Sequence, residues 1–596
     1  MTVYLKMPLL FTPPPRRGRQ GGGDFHPSLC PARAWGFVMK ESYHFIRLSI
    51  IILGLSLLIL PKAYAVEQRL IIIHTNDLHG HPLKFPHIGA RKVGGLPAIA
   101  DLVQEIRKRH KNVLVLDAGD LNTGTPESTF FKAAPDILAL NYIGYDAMTL
   151  GNHEFDNPLE MLRTQQRLAA FPFISANIRT REGARLLSPY IIKVFEGIRI
   201  GIFGLTLKET ETIGNPQQVR DLVFEDELRS AQDAVDQLRT KADIVIALVH
   251  LGIWNDNSRG SKRLASNVRG IDLIIDGHSH TDLKEPLYIN GTPIVQAFKW
   301  GMKVGMGCMT IEQGKLKSFD WISVPVSSEP LPVPAKGCFA TLLPAQLKDD
   351  SFLEEILSPF AEKVERSLSE VIGFAEGHFP IETSRSQESE LGNLIADSML
   401  WLARDLHPDF ALHNGGGIRA PLPGGDITKK RIYEILPFDN TVVVIKLKGA
   451  LVTRLFEHAA SVSKGSGAFP QLSKGVRLRI SSGAERSYQV TISGSPIDPD
   501  KIYSIATNSY LADGGDGYRM FLQALERYDT SILQRDALIE YITRVKKRPA
   551  PVLEKRIEIG LSDNLTSPLM KSDKPFPQNL HWAYMKITPA LSAQIQ

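Results

Sequence analysis

Leu70-Ile71-Ile72-Ile73-His74-Thr75-Asn76-Asp77-Leu78-His79-Gly80-His81 sets four apolar residues directly before a cluster of imidazoles and a carboxylate. A short β-branched run ending in potential metal ligands reads as a strand that delivers chemistry at its carboxyl end. The arrangement recurs along the chain. Residues 113–116 lead into Asp117-Ala118-Gly119-Asp120, and residues 147–150 into Gly151-Asn152-His153-Glu154-Phe155-Asp156. Residues 244–249 lead into His250, and residues 273–275 into Asp276-Gly277-His278-Ser279-His280. With further apolar runs at 173–175 and 198–203, the rhythm of strand, polar loop and amphipathic stretch continues to about Ile322. It predicts an α/β layered domain whose strands are covered on both faces. Loops beyond strand carboxyl ends line one crevice in such folds, so five loops are expected to bring Asp, His and Asn to a common mouth. Oxygen and imidazole donors without thiolate suit zinc, manganese, iron or cobalt. The supply is enough for two ions with one bridging carboxylate.

The chain has 596 residues, 43% hydrophobic and 22% charged, too long for a single core. The first domain is expected over 66–328, and Glu329-Pro330-Leu331-Pro332-Val333-Pro334 reads as a linker. An amphipathic helix comes next at about 350–370, with Phe352, Leu353, Ile356, Leu357, Phe360, Val364 and Leu368 in one stripe and Pro359 as a site for a kink. Residues 329–370 are thus a linker and hinge helix. Residues 371–560 mix helical and strand signals, helical at 391–402 and strand at 441–447, and 561–596 reads as a loose tail.

Lys plus Arg exceeds Asp plus Glu by five, 69 against 64. That excess sits in the first 65 residues, which hold eight basic and two acidic side chains, so nucleic-acid polymer is not the expected partner. From Met39 the pattern is a secretory signal peptide: Lys40 and Arg47, an apolar run at 48–60, then Ala63-Tyr64-Ala65 as a cleavage site. Residues 1–38 read as a low-complexity leader upstream of the true start. The apolar run is shorter than the roughly 20 residues a membrane span needs, so a soluble, exported, monomeric chain starting at Val66 is expected, in a bacterial periplasm or secreted. Loss of the leader removes Cys30, and Cys308 and Cys338 remain. In an oxidising compartment they either pair or stand as two buried thiols.

These motifs, in this order and spacing, resemble the 5′-nucleotidase family of the metallophosphoesterase superfamily, over nearly all of residues 69–560. The resemblance implies a four-layer α/β/β/α dimetal domain joined by a helix to a second α/β nucleotide-binding domain. It implies two divalent ions, from zinc, manganese, cobalt or magnesium. Asp77, His79 and His280 would bind one, Asn152, His250 and His278 the other, and Asp120 would bridge. Some relatives carry Gln where His280 stands, a change expected to alter metal preference. Paired cations about 3.5–4 Å apart lower the pKa of a shared water, so that hydroxide attacks phosphorus in line. His153, beside Asn152, would reach the phosphate and stabilise transition-state charge, with Asp156 on its other ring nitrogen. Glu154 and Asp117 read as structural, closing turns.

In the second domain, Asn414-Gly415-Gly416-Gly417-Ile418-Arg419, Leu436-Pro437-Phe438 and residues 508–517 resemble the nucleotide-binding half of the family. By that resemblance Phe438 and Tyr510 sandwich a base, Asp516 accepts from ribose hydroxyls, and Arg385, Arg419 and Asn414 hold the phosphate end. The expected reaction is phosphate release from nucleoside 5′-monophosphates, extending to di- and triphosphates. Rival expectations are a nucleotide-sugar or dinucleotide pyrophosphatase, a 2′,3′-cyclic phosphodiesterase with 3′-nucleotidase activity, and a non-catalytic nucleotide- or metal-binding receptor.

Overall fold

The computed structural model describes residues 67–87, 90–331, 337–481, 487–560 and 570–571. The leader, the signal segment and its cleavage point, the prolines at 332 and 334, and nearly all of the tail lie outside the described residues.

Strand Gln68–Thr75 explains why its apolar run is continuous. Ile71 and Ile73 join Val113 and Val115 in a core shared with the helices Leu96–Arg109 and Ala134–Ile143. Leu70 and Ile72 point the other way, with Leu114 and Leu116, onto Ile200, Ile202, Ile244 and Ile246 of a second sheet. That second sheet turns Phe203, Leu205, Val245 and Val249 outward onto the helices Glu227–Arg239 and Gly260–Asn267. A strand buried on both faces has no polar alternation. Helix, sheet, sheet and helix therefore stack as four layers.

The first sheet runs, in spatial order, Lys315–Pro325, Lys303–Glu312, Gln68–Thr75, Val113–Asp117, Ala147–Thr149 and Phe173–Ile174. The second runs Leu287–Ile289, Thr292–Val295, Leu273–Ile275, Ile244–His250, Ile198–Thr206 and Tyr190–Phe195. The strand–helix rhythm does not persist to Ile322. Residues 303–325 form an antiparallel hairpin against Gln68–Thr75, with Ile71 opposite Cys308. Its outer strand buries Phe319 and Trp321 and exposes Lys317 and Asp320, the alternation of a half-covered edge.

Helix Ser351–Leu368 is capped by Asp350, whose Oδ1 accepts from the Leu353 amide at 2.8 Å. Asp350 also accepts from Gln104 Nε2 at 2.8 Å, and Leu353 and Leu357 belong to the first domain's core. Pro359 lies within the helix without ending it. The helix is thus anchored on the first domain. The chain leaves it at Ser369 and enters strand Val371–Ala375, which pairs with Gly425–Thr428.

Beyond that point a mixed five-stranded sheet, ordered Pro470–Leu472, Phe410–Asn414, Ile502–Asn508, Thr441–Lys448 and Glu526–Leu533, organises the second domain. Phe410, Leu412, Val443 and Ile445 pack on one side with helix Gly449–Ser461. Ala411, Val442, Val444 and Ala506 pack on the other with helices Glu390–Leu402 and Gln534–Arg544.

Cys308 and Cys338 form a disulfide that closes a separation of 30 residues. A loop of that length restricts the unfolded chain, so reduction or Cys308→Ser is expected to lower stability by about 3–4 kcal/mol. The measurement is urea unfolding, with the midpoint falling and the m-value rising as the freed unfolded chain exposes more surface; an unmoved stability in water would contradict it. No helix of the described residues is long and apolar enough to cross a membrane.

Candidate active site

The parallel strands of both sheets end on one side of the sandwich, and their loops converge there. Asp77 and His79 come after Gln68–Thr75, Asp120 after Val113–Asp117, and Asn152 after Ala147–Thr149. His250 ends its own strand, and His278 and His280 come after Leu273–Ile275. Asp77 Oδ1 lies 3.3 Å from His280 Nε2, and His79 Nε2 lies 3.0 Å from His280 Nε2. Asp120 Oδ2 lies 3.0 Å from His250 Nε2 and 3.8 Å from His79 Nε2, between the two groups. His278 Nδ1 lies 2.9 Å from Asn152 Oδ1. Ligand atoms of Asp77, His79 and His280 fall within 4.8 Å of one another, and so do those of Asp120, His250 and His278.

The backbone is strained to hold this cluster. Asp77, His79, Asp120, His278 and His280 all have positive φ, between 45° and 76°. Non-glycine residues rarely hold that conformation unless the surroundings impose it. Asn76 does so for the first loop, donating to Asp77 Oδ2 at 2.8 Å and accepting from the Ala297 amide at 2.8 Å. Buried Glu154 ties two loops together, accepting from the amides of Gly151, Asp120 and Leu121 at 2.7–3.0 Å. Asp276 accepts from the Leu251, Gly252 and Gly277 amides and from Ser261 Oγ, and burial pushes its carboxyl up to about 6. Asp117 accepts from Thr75 Oγ1 and the Gly119 amide. A side chain at Gly151 would collide with the Asp120 carboxylate, so only glycine lets these loops approach so closely.

The donor set suits divalent cations. His250 Nε2 is buried and faces Asp120 Oδ2 at 3.0 Å, while its Nδ1 lies 2.7 Å from the Ala118 carbonyl oxygen, the kind of outer-shell contact that orients a ligating imidazole. Burial holds His278 down at about 3, with His250 adding to the effect, and burial lowers His79 and His280 as well. These rings are neutral, the form in which imidazole ligates. Burial also opposes charge on His250, but Asp120 and then Asp77 push it up to about 10. A divalent cation satisfies that anionic field as well as a proton does.

His153 Nδ1 stands 2.8 Å from Asp156 Oδ2. Burial works against protonation, yet Asp156 and Asp120 raise the imidazole above its ordinary value. A ring nitrogen of His153 shares a cluster, within 4.8 Å, with ligand atoms of His79 and Asp120. The second domain faces these groups across a cavity of about 1220 Å³, lined from one side by His79, Asp120, Asn152, His153 and His278, and from the other by Arg385, Asn414, Arg419, Phe438, Tyr510 and Asp516. Burial, reinforced by Arg419, lowers Arg385 to about 10, and burial lowers Arg419. Both remain cations at neutral pH, and among the described residues neither is salt-bridged. Asn414 donates to Asp516 Oδ2 at 2.8 Å and accepts from Asn508 at 3.0 Å, so it stands beside Asp516. Tyr510 Oη lies 2.9 Å from Asp516 Oδ1 and 3.1 Å from the Ile213 carbonyl oxygen of the first domain. Phe438 stacks on His153 at 5.8 Å, with the Arg419 guanidinium 5.7 Å from its ring.

Sequence reasoning missed several residues here. Trp254 packs edge-on against His278 at 5.8 Å, and the Arg259 guanidinium lies 4.1 Å over its ring. Lys132 and Asp439 meet across the two domains at 2.7 Å, 307 residues apart. No spacing rule links such positions. The one available signal was that Asp439 directly succeeds Phe438.

Comparison with known proteins agrees with this architecture. Residues 70–282 match the calcineurin-like phosphoesterase family, and residues 371–523 match the 5′-nucleotidase C-terminal domain. The chain is 34% identical to protein UshA of Yersinia enterocolitica over 507 residues, 79% of this chain and 90% of that one. It is 34% identical to a 5′-nucleotidase of Vibrio cholerae, over 80% of this chain and 90% of that one. The crystal structure of a 5′-nucleotidase precursor from Thermus thermophilus superposes with a TM-score of 0.72 at 32% identity, covering 83% of this chain and all of that one. With a phosphoesterase sandwich, a nucleotidase C-terminal domain and relatives aligned along most of its length, the chain belongs to the 5′-nucleotidase family of metallophosphoesterases, a family of phosphoric ester hydrolases.

Proposed function

We propose that the protein is an exported, dimetal-dependent 5′-nucleotidase that releases phosphate from nucleoside 5′-monophosphates. The carrying observation is a single cavity bounded by an imidazole–carboxylate cluster on one domain and by aromatic, guanidinium and carboxylate side chains on the other. Asp77, His79 and His280 would hold one divalent ion and Asn152, His250 and His278 the second, with Asp120 as the carboxylate between the two sets. When bound, such ions supply Lewis-acid charge neutralisation and a water acidic enough to act as nucleophile near neutral pH. Arg385 and Arg419 grip phosphate oxygens with forked donors and orient phosphorus toward the cluster. His153, held as an imidazolium by Asp156, directs its other N–H at the charge that grows on the phosphoryl oxygens. Asp516 takes ribose hydroxyls, and Phe438 and Tyr510 stack the base, a contact worth about 1–3 kcal/mol and tolerant of base identity. Export is supported by the signal-type segment ending at Ala65 and by the Cys308–Cys338 disulfide, a bond of oxidising compartments.

The test is chromatographic analysis of the products formed from AMP, UDP-glucose and 2′,3′-cyclic AMP by residues 66–596 loaded with manganese or zinc, with free phosphate assayed alongside. AMP is expected to give the highest kcat/KM. Folded, metal-loaded protein that leaves AMP intact while cleaving UDP-glucose would replace the monophosphatase reading with a pyrophosphatase one.

A further inference from the structure

The turn that carries Phe438 is held from two sides. Within the second domain, Arg535 is buried, donates to the Pro437 and Phe438 carbonyl oxygens at 3.2 Å each, and pairs with Asp439 Oδ1. From the first domain, Lys132 Nζ reaches Asp439 Oδ2 at 2.7 Å and Asn157 Oδ1 at 3.0 Å, one residue beyond Asp156. Burial alone would disfavour charge on Asp439, but Arg535 and Lys132 together hold its carboxyl below the ordinary value.

Lys132 is placed with unusual care for a surface lysine. It and Ala133 both have positive φ, 53° and 60°, a strained pair of non-glycine residues. The Lys132 carbonyl oxygen accepts from Gln165 Nε2 at 2.9 Å, and the same amide donates to Asn122 Oδ1 at 2.7 Å. The Asn122 carbonyl oxygen in turn faces His79 Nδ1 at 3.3 Å. A continuous set of contacts therefore runs from the loops of the ligand cluster through Asn122, Gln165 and Lys132 to Asp439.

We propose that Asp439 is a positioning residue for nucleobase recognition, joining Arg535 of its own domain to Lys132 of the first so that the Phe438 ring is set in register with the phosphoryl site. The proposal rests on the nucleotidase reading above. Neither Asp439 nor Lys132 touches phosphate in this scheme, so their loss acts on the part of binding that comes from the base. Asp439→Asn keeps an acceptor for Arg535 and removes the charge that Lys132 meets.

The experiment compares kcat and KM for AMP and for ribose 5-phosphate, which lacks the base, in the metal-loaded enzyme and its Asp439→Asn, Lys132→Met and doubly substituted forms. Affinity is measured alongside by calorimetry with a non-hydrolysable phosphonate analogue of AMP. Each single variant is expected to lower kcat/KM for AMP about tenfold through KM, in the range a lost base–aromatic contact gives. Ribose 5-phosphate should change less than about twofold on the same grounds, the double variant should be no worse than either single one, and Lys132→Arg should restore most of the loss. Parallel losses on both substrates would assign Lys132 to phosphate or to folding and overturn the proposal. Unchanged AMP kinetics in Asp439→Asn and Lys132→Met would overturn it too, with the nucleotidase reading intact. Release from neither substrate by the unsubstituted enzyme would overturn that reading and this inference with it.

Discussion

Replacing Asp120 with alanine is expected to lower phosphate release by about 10³-fold and to roughly halve the divalent metal retained per chain, because a bound metal's charge stabilisation is worth several kcal/mol. Asp120 is the carboxylate shared between the two groups of candidate ligands, with Oδ2 facing both His250 and His79. Burial opposes its ionisation, yet His250 and His153 hold its carboxyl well below the ordinary value, so it is charged at every working pH. Without that charge Asp77 is the one carboxylate left among the seven candidate ligands. A thermal readout separates metal loss from misfolding. A ligand that binds only the folded chain stabilises it by about 2.7 kcal/mol at a hundredfold excess over its dissociation constant. Added manganese should therefore raise the melting temperature of the native chain and move that of Asp120→Ala far less. Full metal content and native turnover in the alanine variant would remove Asp120 from the centre of the mechanism.

The candidate cluster could be read from the sequence because each member lies at the end of, or within a few residues after, a strand that is apolar on both faces. The layered packing that buries Ile71 and Leu70 in opposite directions also leaves continuous apolar runs in the sequence, and the polar residues next to the end of such a run lie at a strand terminus. The hairpin at 303–325 was not legible in the same way. Its outer strand alternates and its inner strand does not, and only the pairing with Gln68–Thr75 shows that the two are neighbours. Likewise, the amphipathic stripe of 351–368 was visible, but not the domain it serves. Asp350 decides that through Gln104 and Tyr142, contacts more than 200 residues distant in sequence. The supports of the site, Asn76 on Asp77 and Glu154 across two loops, sat inside the motifs, yet their roles arise from backbone amides that no residue pattern encodes. Lys132 and Asp439 lay further out of reach, since neither residue type nor spacing joins them.

His153→Ala should separate chemistry from metal binding. Its expected effect is a fall in kcat of about 10²–10³-fold, the usual consequence of removing one donor aimed at transition-state charge. The metal should stay. The tie from this residue to Asp120 Oδ1 is the His153 backbone amide, at 2.9 Å, and alanine retains it. The loop is held further by Glu154 on the Gly151 amide at 2.7 Å. The lost group is thus the imidazole alone, with the proton that Asp156 helps it keep. Asp156→Asn should be milder, since it leaves the ring in place and removes only the anion 2.8 Å from Nδ1. Metal analysis and single-turnover phosphate release on the same preparations decide between the two roles. If His153→Ala loses metal in proportion to activity, the histidine is a ligand, and the shared cluster of His79, Asp120 and His153 holds an ion itself. Retained metal with the predicted fall in kcat makes it the group that meets the phosphate.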